Sequence, residues 1–422
     1  MPTANKSSIT STHIEPLGFL AYTSRDFFSK GLFVFVKRLL KVSLLSLGLC
    51  ASLQAGKPKP INPQDLIKKA LQANLMPMPT GKALDKYLKD KVHNLGISYK
   101  GAVLTKAQVE LGKMLFLDPR ISTSYLISCN TCHNLGLAGV DMVSRAVGEG
   151  WKPNPHFLNS PTVYNSVFNA VQFWDGRAAH LDEQAKGPIT NPVEMNADPK
   201  VVEAKINSMP EYVKAFKRAY GNHIKIDLNL IADTIAMFEA TLNTPNRFDD
   251  FLRGNVKALS LKEQEGLALF LEKGCTGCHN GINLGGTMQP FQVAAPYEFA
   301  NVGDFKGNKD GLIKVPTLRN ILETMPYFHN GQYWDIKDAI KAMGAVQLGI
   351  HISDADAAKI ATFFGALTGK KPTITYPHLP TITDSTPKPQ GIMEKDMPAK
   401  STPAKAPAKS TPAPAKSTPA KS

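Results

Sequence analysis

An all-α fold of two related helical units joined by long loops is what this sequence predicts, and three observations predict it. Apolar residues recur at helical spacing in several segments, whereas strand-like alternation is scarce. A weak internal repeat relates Leu104–Phe116 to Leu259–Phe270. Each repeat then runs into the pentapeptide Cys-X-X-Cys-His, as Cys129-Asn130-Thr131-Cys132-His133 and as Cys275-Thr276-Gly277-Cys278-His279.

That pentapeptide is the attachment site of a c-type haem. Two thiols three residues apart form thioethers with the two vinyl groups of one porphyrin, and the adjacent imidazole is held over the iron as its proximal ligand. Of five cysteines, four fall in the two motifs and the fifth, Cys50, lies in an N-terminal apolar run, so none is left for a disulfide. A four-cysteine zinc site or a thioredoxin-like redox pair would not explain why histidine follows the second cysteine both times. A porphyrin is too large and apolar to leave exposed, so each needs its own helical shell. The expectation is two cytochrome c-like haem domains, residues 96–244 and 245–371, with two covalently bound haem c.

At 422 residues, 43% of them hydrophobic, the chain is long enough for two domains. Residues 1–55 read as a signal sequence: Lys37, Arg38 and Lys41 open a short apolar centre that ends on a small residue, Ala55. The 36 residues before it are unusually long for a leader, which points to a true start near Val36. The competing reading, an uncleaved anchor over residues 31–53, would bury those same three cations in hydrocarbon. Residues 56–95 are expected to pack on the second haem domain. The formal charge of +14 suggests nucleic acid at first sight, but residues 1–55 and 379–422 together carry +8 of it. The remaining +6 is partly offset by two propionates on each haem, so the charge says little about partners and no nucleic acid is expected.

Within the body, Asp227 is placed to cap a helix carrying Leu228, Ile231, Ile235, Phe238 and Leu242, ending before Pro245. Ser353 opens another with Ile360, Phe363, Phe364 and Leu367 on one face and Gly369 past its end. Residues 372–422 drift into Pro/Ala/Lys/Ser/Thr repeats with almost nothing to bury, which predicts a disordered tail.

The sixth ligands decide the function. A haem with two strong protein ligands carries electrons, and one with an open position reacts with small oxidants. Met343 is a candidate for the second iron, with Met288 and Met325 as rivals.

The segments Phe173-Trp174-Asp175-Gly176-Arg177, Glu183-Gln184-Ala185-Lys186-Gly187-Pro188, Val193-Glu194-Met195 and Pro326-Tyr327-Phe328-His329 resemble the bacterial di-haem cytochrome c peroxidases over residues 100–370. The resemblance implies that His133 is the proximal ligand of a peroxidatic first haem, and that His279 and Met343 are the axial pair of a high-potential second haem. It implies Glu194 as acid/base in the peroxide pocket with Gln184 beside it, and Trp174 in the electron path between the haems. Without it, Glu194 and Gln184 read as ordinary surface positions and Trp174 as a core aromatic. It further implies calcium at Asn159, Thr324 and Pro326, a small cytochrome c or cupredoxin as donor, hydrogen peroxide as substrate, a homodimer and a periplasmic location.

One departure stands out. Members of that family commonly carry a histidine sixteen residues beyond the first proximal histidine, where it blocks the oxidised iron; here that position is Glu149, in Gly148-Glu149-Gly150-Trp151. Two expectations follow: the first haem works without prior reduction, or His156 supplies the block. Two other functions remain to be weighed: an electron carrier or redox sensor with both irons fully ligated, and a relative that oxidises tryptophan in a protein substrate, in which tyrosine replaces the methionine ligand.

Overall fold

The computed structural model describes residues 60–90 and 104–390. The expected signal sequence, Cys50 and the stretch from residue 391 lie outside them. In chain order the described helices are α1 (Pro63–Gln72), α2 (Lys82–Asp90), α3 (Lys106–Leu117), the single turn α4 (Cys129–Cys132), α5 (Leu181–Thr190), α6 (Pro199–Ser208), α7 (Pro210–Tyr220), α8 (Leu228–Glu239), α9 (Arg247–Leu252), α10 (Leu261–Glu272), α11 (Ile336–Met343) and α12 (Asp354–Phe364). Between α4 and α5, nearly fifty residues form only 3₁₀ turns and loop. The helix-rich expectation needs one addition: β1 (Met288–Pro290) and β2 (Leu312–Lys314) form an antiparallel ribbon with Met288 opposite Lys314.

The helices begin where side chains satisfy their first free N–H groups. Asp227 accepts from Leu230 N at 3.1 Å, and Ser353 from Asp356 N at 3.1 Å. The internal repeat carries matched capping boxes, Thr105 with Gln108 and Ser260 with Glu263.

The described residues from Ile61 onward form one compact unit, and it contains two main apolar cores. In the first, α3 crosses α8. In the second, α10 crosses α12. Both crossings rest on a glycine at the same place in the repeat: a Cβ on Gly112 would collide with the Thr234 carbonyl, and a Cβ on Gly266 with the Lys359 carbonyl. Phe238 and Phe363 close these contacts. Phe116 meets Phe238 at 5.4 Å, and Phe270 meets Phe363 at 5.6 Å. Such aromatic pairs contribute about 0.5–1.5 kcal/mol each beyond burial.

In the second core Arg319 and Asp249, both fully buried, form a two-point ion pair at 2.7 and 3.0 Å. Asp249 also accepts from Met78 N at 2.7 Å, tying the N-terminal segment to α9.

Two expectations are corrected here. Residues 56–95 do not belong to the second unit alone: α1 places Leu66, Ile67 and Ala70 in the second core, but α2 places Leu88 against Val167, Leu181, Ala236 and Ala240 beside the first. Disorder from residue 372 fails for residues 372–390, which run as an extended strap over the first unit. Ile374 packs on that core, Thr386 is buried against Ser208 with hydroxyls 2.8 Å apart, and Gln390 N donates to Thr123 O at 2.9 Å. The carbonyls of Pro380 and Pro387 accept from Arg120 and Tyr125. Composition counts apolar side chains and misses this, because the strap is held largely through its main chain.

Candidate functional site

The second Cys-X-X-Cys-His emerges directly from α10. Gly274, with φ +81°, turns the chain out of the helix, and Cys275–Gly277 form a 3₁₀ turn. His279 is buried, and its Nδ1 donates to the Leu284 carbonyl at 3.1 Å, leaving Nε2 as the free lone pair. Burial pulls its pKa down to about 4, so the ring is neutral, as a metal ligand must be. His279, Cys275 and Cys278 line a mostly apolar cavity whose wall also includes Met343, at the end of α11, while Met288 and Met325 do not line it. Met288 packs instead against Gly176. Paired thiols, a neutral imidazole of fixed tautomer and an apolar cavity fit a covalently held porphyrin.

The first motif is less enclosed by helices. Ser128 precedes the single turn α4, which sets Cys129 and Cys132 one turn apart and leaves His133 as its last capping residue. His133 Nδ1 is buried without a hydrogen bond. Burial pulls its pKa down to about 4, partly offset by the Gly139 and Pro161 carbonyls. A neutral imidazole with one unpaired ring nitrogen behind two thiols again fits a haem.

Glu194 stands near this motif, its charge reaching the Cys132 sulfur. Its carboxylate accepts from Asn191 Nδ2 at 2.9 Å. Burial raises its pKa, with Asn191 and Arg177 acting the other way. Arg177 lies over the Phe173 ring at 3.5 Å and pairs with Asp175 at 2.9 Å. Phe173 in turn packs on Gly187 of α5, one turn beyond Gln184 on the same face. Gln184 is half-buried, and its side-chain amide makes no hydrogen bond among the described residues. Loop and helix thus converge on one region holding a carboxylate, a guanidinium and a free amide.

Trp174 is buried, with Nε1 donating to the Asn159 carbonyl at 2.9 Å and its own carbonyl accepting from Lys314 N at 2.7 Å. It lines the cavity of the second motif, as do Asn159, Thr324, Pro326 and His329. His329 sits among Phe291, Tyr297 and Phe305, and burial pulls its pKa to about 4. Asn159 Nδ2 donates to Val143 O at 2.8 Å, so its Oδ1 is the atom left to accept or coordinate.

The loop expected to hold a blocking residue folds back on Glu194: Glu149 N donates to the Glu194 carbonyl at 2.6 Å, and a Cβ on Gly148 would collide with the Val193 carbonyl. The Glu149 Oε2 atom is buried without a hydrogen bond. His156 is drawn away. Its Nδ1 is 2.9 Å from both oxygens of Asp304 at the surface, so the structure does not bring it to the first motif as a substitute block.

Sequence reasoning quoted Arg177 only as part of a motif and passed over Asn191 and Lys314. A signal existed for Asn191, which lies three residues before Glu194, the reach of a local side-chain turn. Lys314 gave none, since a lysine beside Ile313 reads as the exposed face of a short strand.

Two thiol pairs, each followed by a buried neutral histidine, and one cavity that adds a thioether, define a di-haem c-type cytochrome. The family profile described as di-haem cytochrome c peroxidase matches residues 106–257. The chain is 45% identical over 319 residues to the cytochrome c551 peroxidase of Pseudomonas aeruginosa, covering 73% of this chain and 90% of that one. It is 44% identical over 289 residues to the cytochrome c551 peroxidase of Nitrosomonas europaea, covering 67% and 86%. In fold it is similar to a MauG-like protein associated with microbial copper homeostasis, with a TM-score of 0.56 and 22% identity over 63% of this chain and 90% of that one. This chain belongs to the di-haem cytochrome c peroxidase family. Among the described residues no helix is long and apolar enough to cross a membrane.

Proposed function

We propose that this protein reduces hydrogen peroxide to two molecules of water, taking two electrons singly from a small cytochrome c or cupredoxin in the periplasm. The observation that carries the reading is an asymmetry between the sites. His279 and Met343 line one cavity, whereas the first motif has a buried carboxylate, Glu194, within electrostatic reach of Cys132.

When bound, the haems supply the electron storage and the electrophilic centre. The residues do the rest. His133 and His279 would hold the two haem irons, and Met343 would join His279 at the electron-entry haem, where a thioether would favour the reduced state. Gln184 donates its free amide to peroxide. Glu194 takes a proton from one peroxide oxygen and returns it to the other as the O–O bond breaks, so that water leaves rather than hydroxide. Arg177, anchored on Phe173 and Asp175, keeps positive charge facing that carboxylate. Trp174 bridges the two sites. Asn159 Oδ1 with the carbonyls of Thr324 and Pro326 holds calcium, and the active form is a homodimer.

With Glu149 in the blocking position and His156 engaged by Asp304, the first haem is open in the oxidised enzyme. Steady-state peroxide turnover with a reduced cytochrome c or cupredoxin, before and after pre-reduction, tests this. Equal rates are expected. Two low-spin haems by electron paramagnetic resonance, with no spectral response to peroxide, would instead make the protein an electron carrier. Met343 weighs against a tryptophan-oxidising enzyme, which would place tyrosine there.

A further inference from the structure

The wall of the His279 cavity carries a cation with no hydrogen-bond or ion-pair partner among the described residues. Lys314 ends β2 and is 5% exposed. Its main-chain N–H is taken by the Trp174 carbonyl at 2.7 Å. Its side chain lines the cavity of His279 and Met343, and it is the only Asp, Glu, Lys or Arg among the described residues that does so. No hydrogen bond or ion pair involves its ammonium among the described residues. The acid whose charge reaches it, Asp175, is already held by Arg177 at 2.9 and 3.0 Å. A buried charge is expensive unless something completes it. The group expected in this cavity brings two ionised carboxylates into an otherwise uncharged wall.

We propose that Lys314 is the counter-cation of a propionate of the second haem, and that through this pair it raises that haem's reduction potential. The inference rests on the haem reading of the His279 cavity. A positive charge near the porphyrin favours the ferrous form, and removing it would leave a propionate uncompensated as well, so both effects act in one direction. Its main-chain N–H is bonded to the Trp174 carbonyl, and its charge reaches His133 of the first motif. It therefore stands beside the tryptophan proposed to carry electrons from one site to the other. Lys314 is a positioning residue here, acting through the haem carboxylate and not on peroxide.

The test is an optical redox titration of the two-haem enzyme, wild type against Lys314→Met and Lys314→Arg, with haem per chain counted by the pyridine haemochrome spectrum. In Lys314→Met the midpoint of the second haem should fall by 59 mV or more, a tenfold change in its reduced-to-oxidised ratio. Lys314→Arg should restore most of it. An unchanged second-haem midpoint in a fully loaded Lys314→Met protein, or a shift confined to the first haem, would overturn the assignment. A wild-type protein lacking two haems would fail the haem reading instead. Should Lys314→Met not load, Lys314→Gln is read the same way, and the propionate bending modes in the resonance Raman spectrum of the wild type decide independently: ion-paired positions are expected, and solvated positions would overturn the proposal.

Discussion

Trp174 and Asn159 are joined by a 2.9 Å hydrogen bond from indole to main-chain carbonyl, so the aromatic ring on the seam is fixed to the same residue whose side-chain oxygen is free for a cation. Loss of the calcium proposed at Asn159 is therefore expected to loosen Trp174. Chelation should lower the rate of electron transfer between the haems, followed by stopped-flow absorbance, with the variant Trp174→Phe insensitive to the chelator.

Glu194 supplies a pH dependence whose sign is fixed. Burial raises its pKa, so the protonated form persists to higher pH than for a free glutamate. The proposed mechanism needs the carboxylate as base, so turnover should fall as pH drops through that raised value. Glu194→Gln should remove the acidic limb and lower kcat by roughly 10²–10⁴, with haem content unchanged. A variant that retained both rate and profile would remove Glu194 from the chemistry.

Replacing Glu149 with histidine should rebuild the block that this chain lacks. Expected are a low-spin first haem in the oxidised Glu149→His protein and peroxide turnover that appears only after pre-reduction. The comparison is electron paramagnetic resonance of the two oxidised proteins under identical conditions.

The two glycine crossings predict matched costs. Gly112→Ala and Gly266→Ala each force a methyl group into a backbone carbonyl, and such overpacking costs about 1–3 kcal/mol. Guanidinium unfolding followed by circular dichroism would report it.

Asp249→Ala strands Arg319 in the second core and removes the acceptor of Met78 N. Breaking a buried pair from one side costs about 3–5 kcal/mol, whereas Lys86→Ala, which breaks an exposed pair, should cost no more than about 1 kcal/mol. The same unfolding measurement separates the two.

Much of this was readable beforehand, for reasons that can be named. Asp227, Ser260 and Ser353 announce helix starts because capping depends on side chains a few residues away. The haem motifs are legible because covalent chemistry requires a fixed spacing. The strap, the split packing of residues 61–90 and the partner of His156 were not legible, since each depends on contacts between distant segments. Asp304 lies 148 residues from His156, and no local pattern encodes that meeting. Lys314 escaped for a related reason: what makes it unusual is burial with no hydrogen bond or ion pair to its ammonium among the described residues, which depends on how distant segments pack.

The strap's attachment of Pro380 to Arg120 spans 260 residues of sequence. Closing so wide a loop is slow compared with forming neighbouring helices. The segment around Arg120 therefore reaches its final arrangement late, once the strap near Pro380 has docked.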